Sequence, residues 1–316
     1  MTSTSHHGAP TPHATVVDGV VQRFHVAGRG PVCVVHPGGP GADWEYLRMP
    51  ELERHLTVVY VEPIGTGHSG RLANPRDYRI DTYARHLAQV VRSVADPADP
   101  RVHLIGHSFG GFVMAHYALL HPERVAGVVL YATAARLGPE LMQRALETLV
   151  RRAEQQPSRP DLAALPGALQ AMLEATTDEA LAQALPSALP LYVGDLPARA
   201  EVVEGLVRTM RLAATPLGTP EISPFDVRGS LARMTAPALV LCGELDPVCG
   251  PEWGRELHAL LPTSTYVEVP EAGHMLHLEA PDLFAGAVLS FLADAGAGPG
   301  AGAGPVAGDE VRAADL

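Results

Sequence analysis

The chain has 316 residues, 47% of them hydrophobic, and a formal net charge of −12. That hydrophobic share supports the core of one large domain or two small ones and excludes global disorder, while the acidic balance excludes nucleic-acid binding, which needs a basic footprint. All 23 basic residues are arginine, so no lysine is available as a Schiff base, phosphate ligand or nucleophile.

The Ala, Gly, Pro and Arg bias is that of a GC-rich bacterial gene. Residues 1–13 are polar and proline-containing, and disorder is expected there. They contain neither a basic stretch nor the apolar core of a signal peptide. No run reaches the ~18 apolar residues of a membrane helix, so a cytoplasmic location without membrane association is expected. TVVDGV and VQRFHVA flank the turn signal Asp18-Gly19 and predict a hairpin. PVCVVH (31–36) and TVVYVE (57–62) are short, β-branched apolar runs of the buried-strand type, and residues 43–55 between them have helical length. Residues 81–95 predict a helix with Asp81 as N-cap. RVHLIG (101–106) is a further buried strand, followed at once by a helix over 109–121. VAGVVLYA (125–132), ALVLCG (238–243) and TYVEV (265–269) complete the strands, with helices over 252–261 and 282–293. This alternation predicts an α/β fold: a mostly parallel sheet covered by helices on both faces, its core formed by residues 14–134 and 230–294.

Between residues 135 and 229 the alternation stops. The stretch is rich in Leu and Ala, is interrupted by Pro157, Pro160, Pro166, Pro186, Pro190 and Pro197, and shows no convincing strand. It reads as a helical cap above the carboxyl ends of the strands, where ligands bind in such sheets. Residues 295–316 form a Gly/Ala/Pro tail for which disorder is expected. Cys33, Cys242 and Cys249 have no disulfide or zinc spacing, and Cys33 and Cys242 sit in apolar runs where a thiol packs as a small hydrophobe.

The strongest chemical signal is Gly106-His107-Ser108-Phe109-Gly110, a G-x-S-x-G turn between a buried strand and a helix. Ser108 is the candidate nucleophile, presented at a helix N-terminus that favours a developing oxyanion. A serine hydroxyl needs a base. Of the fifteen histidines, His274 follows the last strand in a loop delivered to the same sheet edge; His277 reads as packing, and His107 as a neighbour of the substrate rather than a base. Asp246, after the strand 238–243, is the candidate acid that orients His274, with Glu244 as competitor, and the order Ser, Asp, His suits this topology. The oxyanion donors expected are the N–H of Phe109 and one from the loop His36-Pro37-Gly38-Gly39-Pro40-Gly41, Gly39 being favoured over Gly38.

Taken in order, HPGGPG, GHSFGG, CGELDPV and AGHMLHLEAPD resemble the α/β-hydrolase superfamily over residues 15–293, and the first loop resembles the branch that includes proline iminopeptidases. Two segments depart from that branch: Glu62-Pro63-Ile64-Gly65-Thr66-Gly67-His68-Ser69 stands where it carries Asp-x-Arg-Gly-x-Gly-x-Ser, and Gly-His-Ser-Phe-Gly replaces Gly-Gly-Ser-Trp-Gly. The resemblance implies a serine hydrolase forming an acyl-enzyme on an ester, lactone or amide of a small, largely apolar molecule. Two alternatives stay open: an aminopeptidase, for which Glu201 and Glu204 could bind a free amine, and a non-hydrolytic isomerase or binding protein on the same fold. Gly65-Thr66-Gly67-His68-Ser69-Gly70 fits G-x-G-x-x-G, but Asn74-Pro75 stands where a dinucleotide site needs a helix. His274-x-x-His277 has no third ligand at metal spacing. Neither a cofactor nor a metal is expected, and the partner expected is a small-molecule substrate.

Overall fold

The computed structural model describes residues 8–194, 199–217, 225–296 and 310–312. Strands β1 (Thr11–Val17) and β2 (Val20–Gly28) form the expected hairpin. Its turn places Asp18 and Gly19 at φ 50° and 81°, the positive pair that matches the twist of the flanking strands. The N-terminal expectation needs correction: pairing starts at Thr11 with Val26, because a tight turn propagates backbone bonding outward through polar residues too, and His13 stacks on Phe24. Residues 1–7 lie outside the described residues.

The main sheet continues with β3 (Val32–His36), β4 (Thr57–Glu62), β5 (Val102–His107) and β6 (Val125–Tyr131). A two-residue β7 (Arg136–Leu137) pairs with β8 (Phe225–Asp226) outside it, and β9 (Ala238–Gly243), β10 (Ser264–Val269) and β11 (Glu310–Arg312) complete it. Its order is β1-β2-β4-β3-β5-β6-β9-β10-β11, antiparallel at β1–β2 and β2–β4 and parallel elsewhere. Strand β11 corrects the expectation of a wholly unstructured tail. The open edge of β10 offers unpaired backbone groups, and Glu310–Arg312 pairs with them; residues 297–309 and 313–316 lie outside the described residues.

Alternate residues feed two cores. Val34, Leu104, Val128 and Val240 face one side, where α2 (Ile80–Val94), α3 (Phe109–Leu120) and α10 (Pro251–Leu260) pack. Val35, Ile105, Val129 and Leu241 face the other, covered by α1 (Pro50–Glu53) and α12 (Pro281–Gly296), with α11 (Leu276–Glu279) just before it. Burial on both faces is why these strands read as continuous apolar runs. The single helix expected over 43–55 is instead a 3₁₀ turn at Glu45–Leu47 followed by α1. Pro50 lacks an N–H and holds Met49 out of the helical region, dividing the segment. Helix α2 opens one residue earlier than expected, with Arg79 at the N-cap and Asp81 in its first turn.

The insert between β7 and β8 carries α4 (Pro139–Gln155), α5 (Pro160–Glu174), α6 (Asp178–Ala188), α7 (Ala200–Thr209) and α8 (Ala214–Leu217), and α9 (Arg228–Leu231) follows β8. The β7–β8 pair is a short ladder at the insert's neck, where no strand was expected; two residues are too few to show a strand pattern. Pro160 opens α5, as proline at a first helical position should, whereas Pro166 and Pro186 lie inside helices. Residues 195–198, Pro197 among them, and 218–224 lie outside the described residues.

The order reverses between β3 and β5: the chain leaves β3 for β4 on one side, then returns to β5 on the other. At such a switch point the loops after the two strands diverge and open a crevice at the carboxyl edge. The loop after β3 is the glycine-proline loop, and the turn after β5 holds Ser108.

Candidate active site

Ser108 occupies φ 51°, ψ −117° between β5 and α3, a region non-glycine residues rarely adopt. Its N–H donates to the Tyr131 carbonyl at 3.1 Å. Its own carbonyl accepts from the Thr133 hydroxyl at 2.8 Å and from the Gly111 N–H at 2.9 Å. These three bonds hold the strained residue in place. The surrounding glycines are sterically required. A Cβ on Gly106 would lie 2.6 Å from the Gly110 carbonyl oxygen, and one on Gly110 would collide with the His36 carbonyl at the end of β3. Helix α3 can therefore start directly against the sheet.

Strands β9 and β10 run parallel to β5 through β6, so their trailing loops emerge at the same edge as Ser108. The Asp246 carboxylate is buried, with Oδ2 2.7 Å from His274 Nδ1. Its Oδ1 accepts the N–H groups of Val248 at 2.8 Å and Cys249 at 3.1 Å. A carboxylate so engaged at Nδ1 assigns the His274 proton there and leaves Nε2 as the acceptor. The His274 N–H donates to the Tyr192 carbonyl at 2.8 Å. Glu279 braces the loop: its carboxylate accepts from Gly273 and Met275 N–H in the loop, from Gly194 N–H in the insert, and pairs with Arg199 at 2.8 Å. Glu244, the competing acid, accepts the Glu271 N–H at 3.0 Å and is exposed.

In the glycine-proline loop Gly39 sits at φ +120° and Gly41 at φ +91°. The Gly38 N–H is committed, donating to the Tyr46 hydroxyl at 2.8 Å. That hydroxyl lies 2.7 Å from His107 Nδ1, and His107 Nε2 lies 3.1 Å from the His274 carbonyl oxygen. Since Tyr46 accepts from Gly38, its own proton goes to Nδ1, and His107 is the Nε2–H tautomer donating to His274. One buried chain thus ties the loop after β3, the turn after β5 and the loop after β10. Burial, with His274 and His277 beside it, holds His107 well below the ordinary histidine value, so it is neutral. His107 was expected to border the substrate. Instead it is 1% exposed with both ring nitrogens used inside the protein, because it belongs to the end of β5 rather than to the turn that presents Ser108.

His277 donates Nε2–H to the Tyr46 carbonyl at 2.9 Å and faces the Tyr131 hydroxyl at 3.2 Å with Nδ1. His36 donates Nδ1–H to the Pro37 carbonyl at 2.9 Å. Burial lowers each from 6.5 to about 4. Between those values the unfolded chain binds protons that the folded one refuses. Stability is therefore fully present above about pH 6.5 and falls as pH drops toward 4, by roughly 3 kcal/mol for each histidine. Urea unfolding at pH 7.5 and 4.5 checks this: the midpoint drops at the lower pH, and the drop shrinks in His277→Gln.

Glu201 and Glu204, the candidate amine ligands, are not brought to this site. Helix α7 turns Val202, Val203 and Leu206 toward the core and leaves both glutamates exposed, Glu204 lying 3.9 Å from Arg208. The G-x-G-x-x-G segment closes on itself: the N–H groups of His68 and Ser69 go to the Glu62 carboxylate, which also meets His25 Nε2 at 2.7 Å. Among the described residues no group of three or more His, Cys, Asp or Glu is placed to hold a metal ion, and no helix is long and apolar enough to cross a membrane. Burial raises all three thiols, Cys242 to about 12, so none is a thiolate nucleophile near neutral pH. Tyr46, Thr133, Tyr192 and Glu279 escaped the sequence reading. Of these, only Thr133 carried a signal, its place just past a strand ending at the same edge.

A family model described as the alpha/beta hydrolase fold matches residues 31–281. The proline iminopeptidase of Heyndrickxia coagulans is 27% identical over 287 residues, covering 86% of this chain and 93% of that protein. The 2-hydroxy-6-oxo-6-(2'-aminophenyl)hexa-2,4-dienoic acid hydrolase of Metapseudomonas resinovorans is 28% identical over 282 residues, covering 87% and 88%. Among solved structures, the enol-lactonase of Burkholderia xenovorans LB400 matches with a TM-score of 0.66 at 25% identity, over 89% of this chain and all of that one.

Proposed function

Because the chain belongs to the α/β-hydrolase fold family, we propose that it is a serine hydrolase that cleaves an ester or lactone of a small, largely apolar molecule through an acyl-enzyme. The observation that carries this reading is the buried 2.7 Å bond between Asp246 and His274 Nδ1, on the sheet edge where Ser108 is held at positive φ. That bond poises Nε2 to accept a proton. Ser108 Oγ attacks the carbonyl carbon as its proton passes to His274 Nε2. The negative charge on the carbonyl oxygen is met by the N–H groups of Phe109 and Gly39. The tetrahedral intermediate collapses, and His274 gives its proton to the leaving oxygen. Water, deprotonated by His274, then attacks the acyl-enzyme and frees the acid and Ser108.

Gly39 is the donor rather than Gly38, whose N–H the Tyr46 hydroxyl already occupies. An alanine Cβ at position 39 would lie 2.5 Å from the Gly41 nitrogen at a φ that L-residues avoid. Gly39→Ala therefore misdirects the amide, and kcat on an activated ester falls on the order of 10²–10³-fold. Wild-type kcat in that variant would return the donor role to another group.

An ester or lactone is favoured over an aminoacyl substrate because Glu201 and Glu204 face solvent. Assays of 4-nitrophenyl butyrate, γ-butyrolactone and proline 4-nitroanilide side by side test this. Turnover of the anilide alone would reverse the assignment. If no fluorophosphonate adduct forms on Ser108, the non-hydrolytic alternative replaces it.

A further inference from the structure

A cavity of about 200 Å³ lies between the insert and the loop that carries Asp246. Leu149, Leu165, Leu191, Val193 and Leu245 give it apolar walls. Leu245 adjoins Asp246, and Val193 follows Tyr192, whose carbonyl takes the His274 N–H and whose ring lies 5.4 Å from that of His274. Two of its lining residues, Leu245 and Val193, are thus the chain neighbours of Asp246 and of the Tyr192 that holds the His274 loop.

Among the described residues three charged side chains line it: Arg152, Arg159 and Glu271. Arg159 is committed to Asp161 through two parallel bonds of 2.9 and 2.6 Å, and Glu271 is exposed. Arg152, on α4, is half-buried, and its guanidinium makes no hydrogen bond or ion pair with any described residue. Asp246 is near enough to act on it electrostatically, but no bond joins the two, and the carboxylate is held by His274, Val248 and Cys249. A guanidinium partly withdrawn from water without a counterion is disfavoured, and its planar fork matches the two oxygens of a carboxylate. Apolar walls strengthen that pairing by excluding water.

We propose that this cavity is a carboxylate subsite of the serine hydrolase read above, with Arg152 as counterion to an acid group that the substrate carries at the end remote from the scissile bond. The substrate class is then a monoester or lactone derivative of an aliphatic dicarboxylic acid. The inference rests on the serine-hydrolase reading only for its link to turnover; anion binding is independent of it.

Two esters with a common leaving group test it: neutral 4-nitrophenyl butyrate and mono-4-nitrophenyl adipate, which ends in a carboxylate. The wild-type enzyme should favour the adipate ester in kcat/KM. The ratio of the two should fall about tenfold or more in Arg152→Met, and part of it should return in Arg152→Lys. Any effect transmitted through Asp246 acts on both esters and cancels in the ratio, so an unchanged ratio overturns the proposal. Calorimetric titration with adipate, using the Ser108→Ala protein, provides a readout without turnover. Binding that disappears when Arg152→Gln is added supports the subsite, and absence of binding to Ser108→Ala overturns it. Should Ser108→Ala still hydrolyse both esters at the wild-type rate, the serine reading fails while the adipate titration still decides the subsite.

Discussion

Ser108→Ala is expected to lower kcat/KM on 4-nitrophenyl butyrate by about 10⁴-fold or more, leaving the fold intact. The size follows from the role proposed for the hydroxyl: without Oγ no acyl-enzyme could form, leaving only catalysis by positioning and by the oxyanion donors. The intact fold follows from what holds the residue. The bonds at position 108 that the structure records use its backbone, with Tyr131, Thr133 and Gly111 as partners, and alanine keeps all three. The variant should match wild type in thermal unfolding, lose fluorophosphonate labelling and show no burst of 4-nitrophenol. A variant that hydrolysed the ester within tenfold of the wild-type rate would remove Ser108 from the mechanism.

Much of the fold was legible because parallel strands buried on both faces are built mainly from apolar side chains. Residues 102–107 are buried without exception, so that strand announces itself as VHLIGH. The elbow was legible for a steric reason: Gly106, Gly110 and Gly111 stand where any Cβ would meet backbone or Thr133, and such a requirement prints directly into sequence. Elements set by backbone pairing alone left no mark. Strand β1 starts among Thr11, Pro12 and His13, and β11 pairs with β10 across a Gly/Ala/Pro tract.

The site divides along the same line. Ser108, Asp246 and His274 each follow a recognisable strand in a loop of characteristic composition. Tyr46 lies in a short 3₁₀ turn, and its bonds to Gly38 and His107 span 8 and 61 residues, a distance at which spacing carries no information. Arg151 and Arg152 are adjacent and chemically identical, yet a rotation of 100° along α4 leaves the first exposed and the second half-buried at the cavity. Glu201 and Glu204 show the converse. Their spacing does put both on one helix face, but that face is turned to solvent, and only the packing of Leu206 reveals which way α7 is rotated.

Asp246→Asn should cost about 10⁴-fold in kcat although it changes a single atom. The reason is in the hydrogen bonds around the carboxylate. Oδ1 accepts two backbone N–H groups, from Val248 and Cys249, so an asparagine must place its carbonyl oxygen there and its amide nitrogen at the Oδ2 position. That nitrogen donates toward His274 Nδ1, where the wild-type carboxylate accepted at 2.7 Å. Nδ1 becomes the acceptor, the ring proton moves to Nε2, and the imidazole can no longer take the proton of Ser108. Only geometry-preserving damage of this kind separates tautomer control from packing, so thermal unfolding should be unchanged while single-turnover acylation slows. Glu244→Gln, which alters the only competing acid in that loop, should slow acylation less than tenfold. Reversal of the two results, with Asn tolerated at 246 and Gln not at 244, would transfer the orienting role to Glu244.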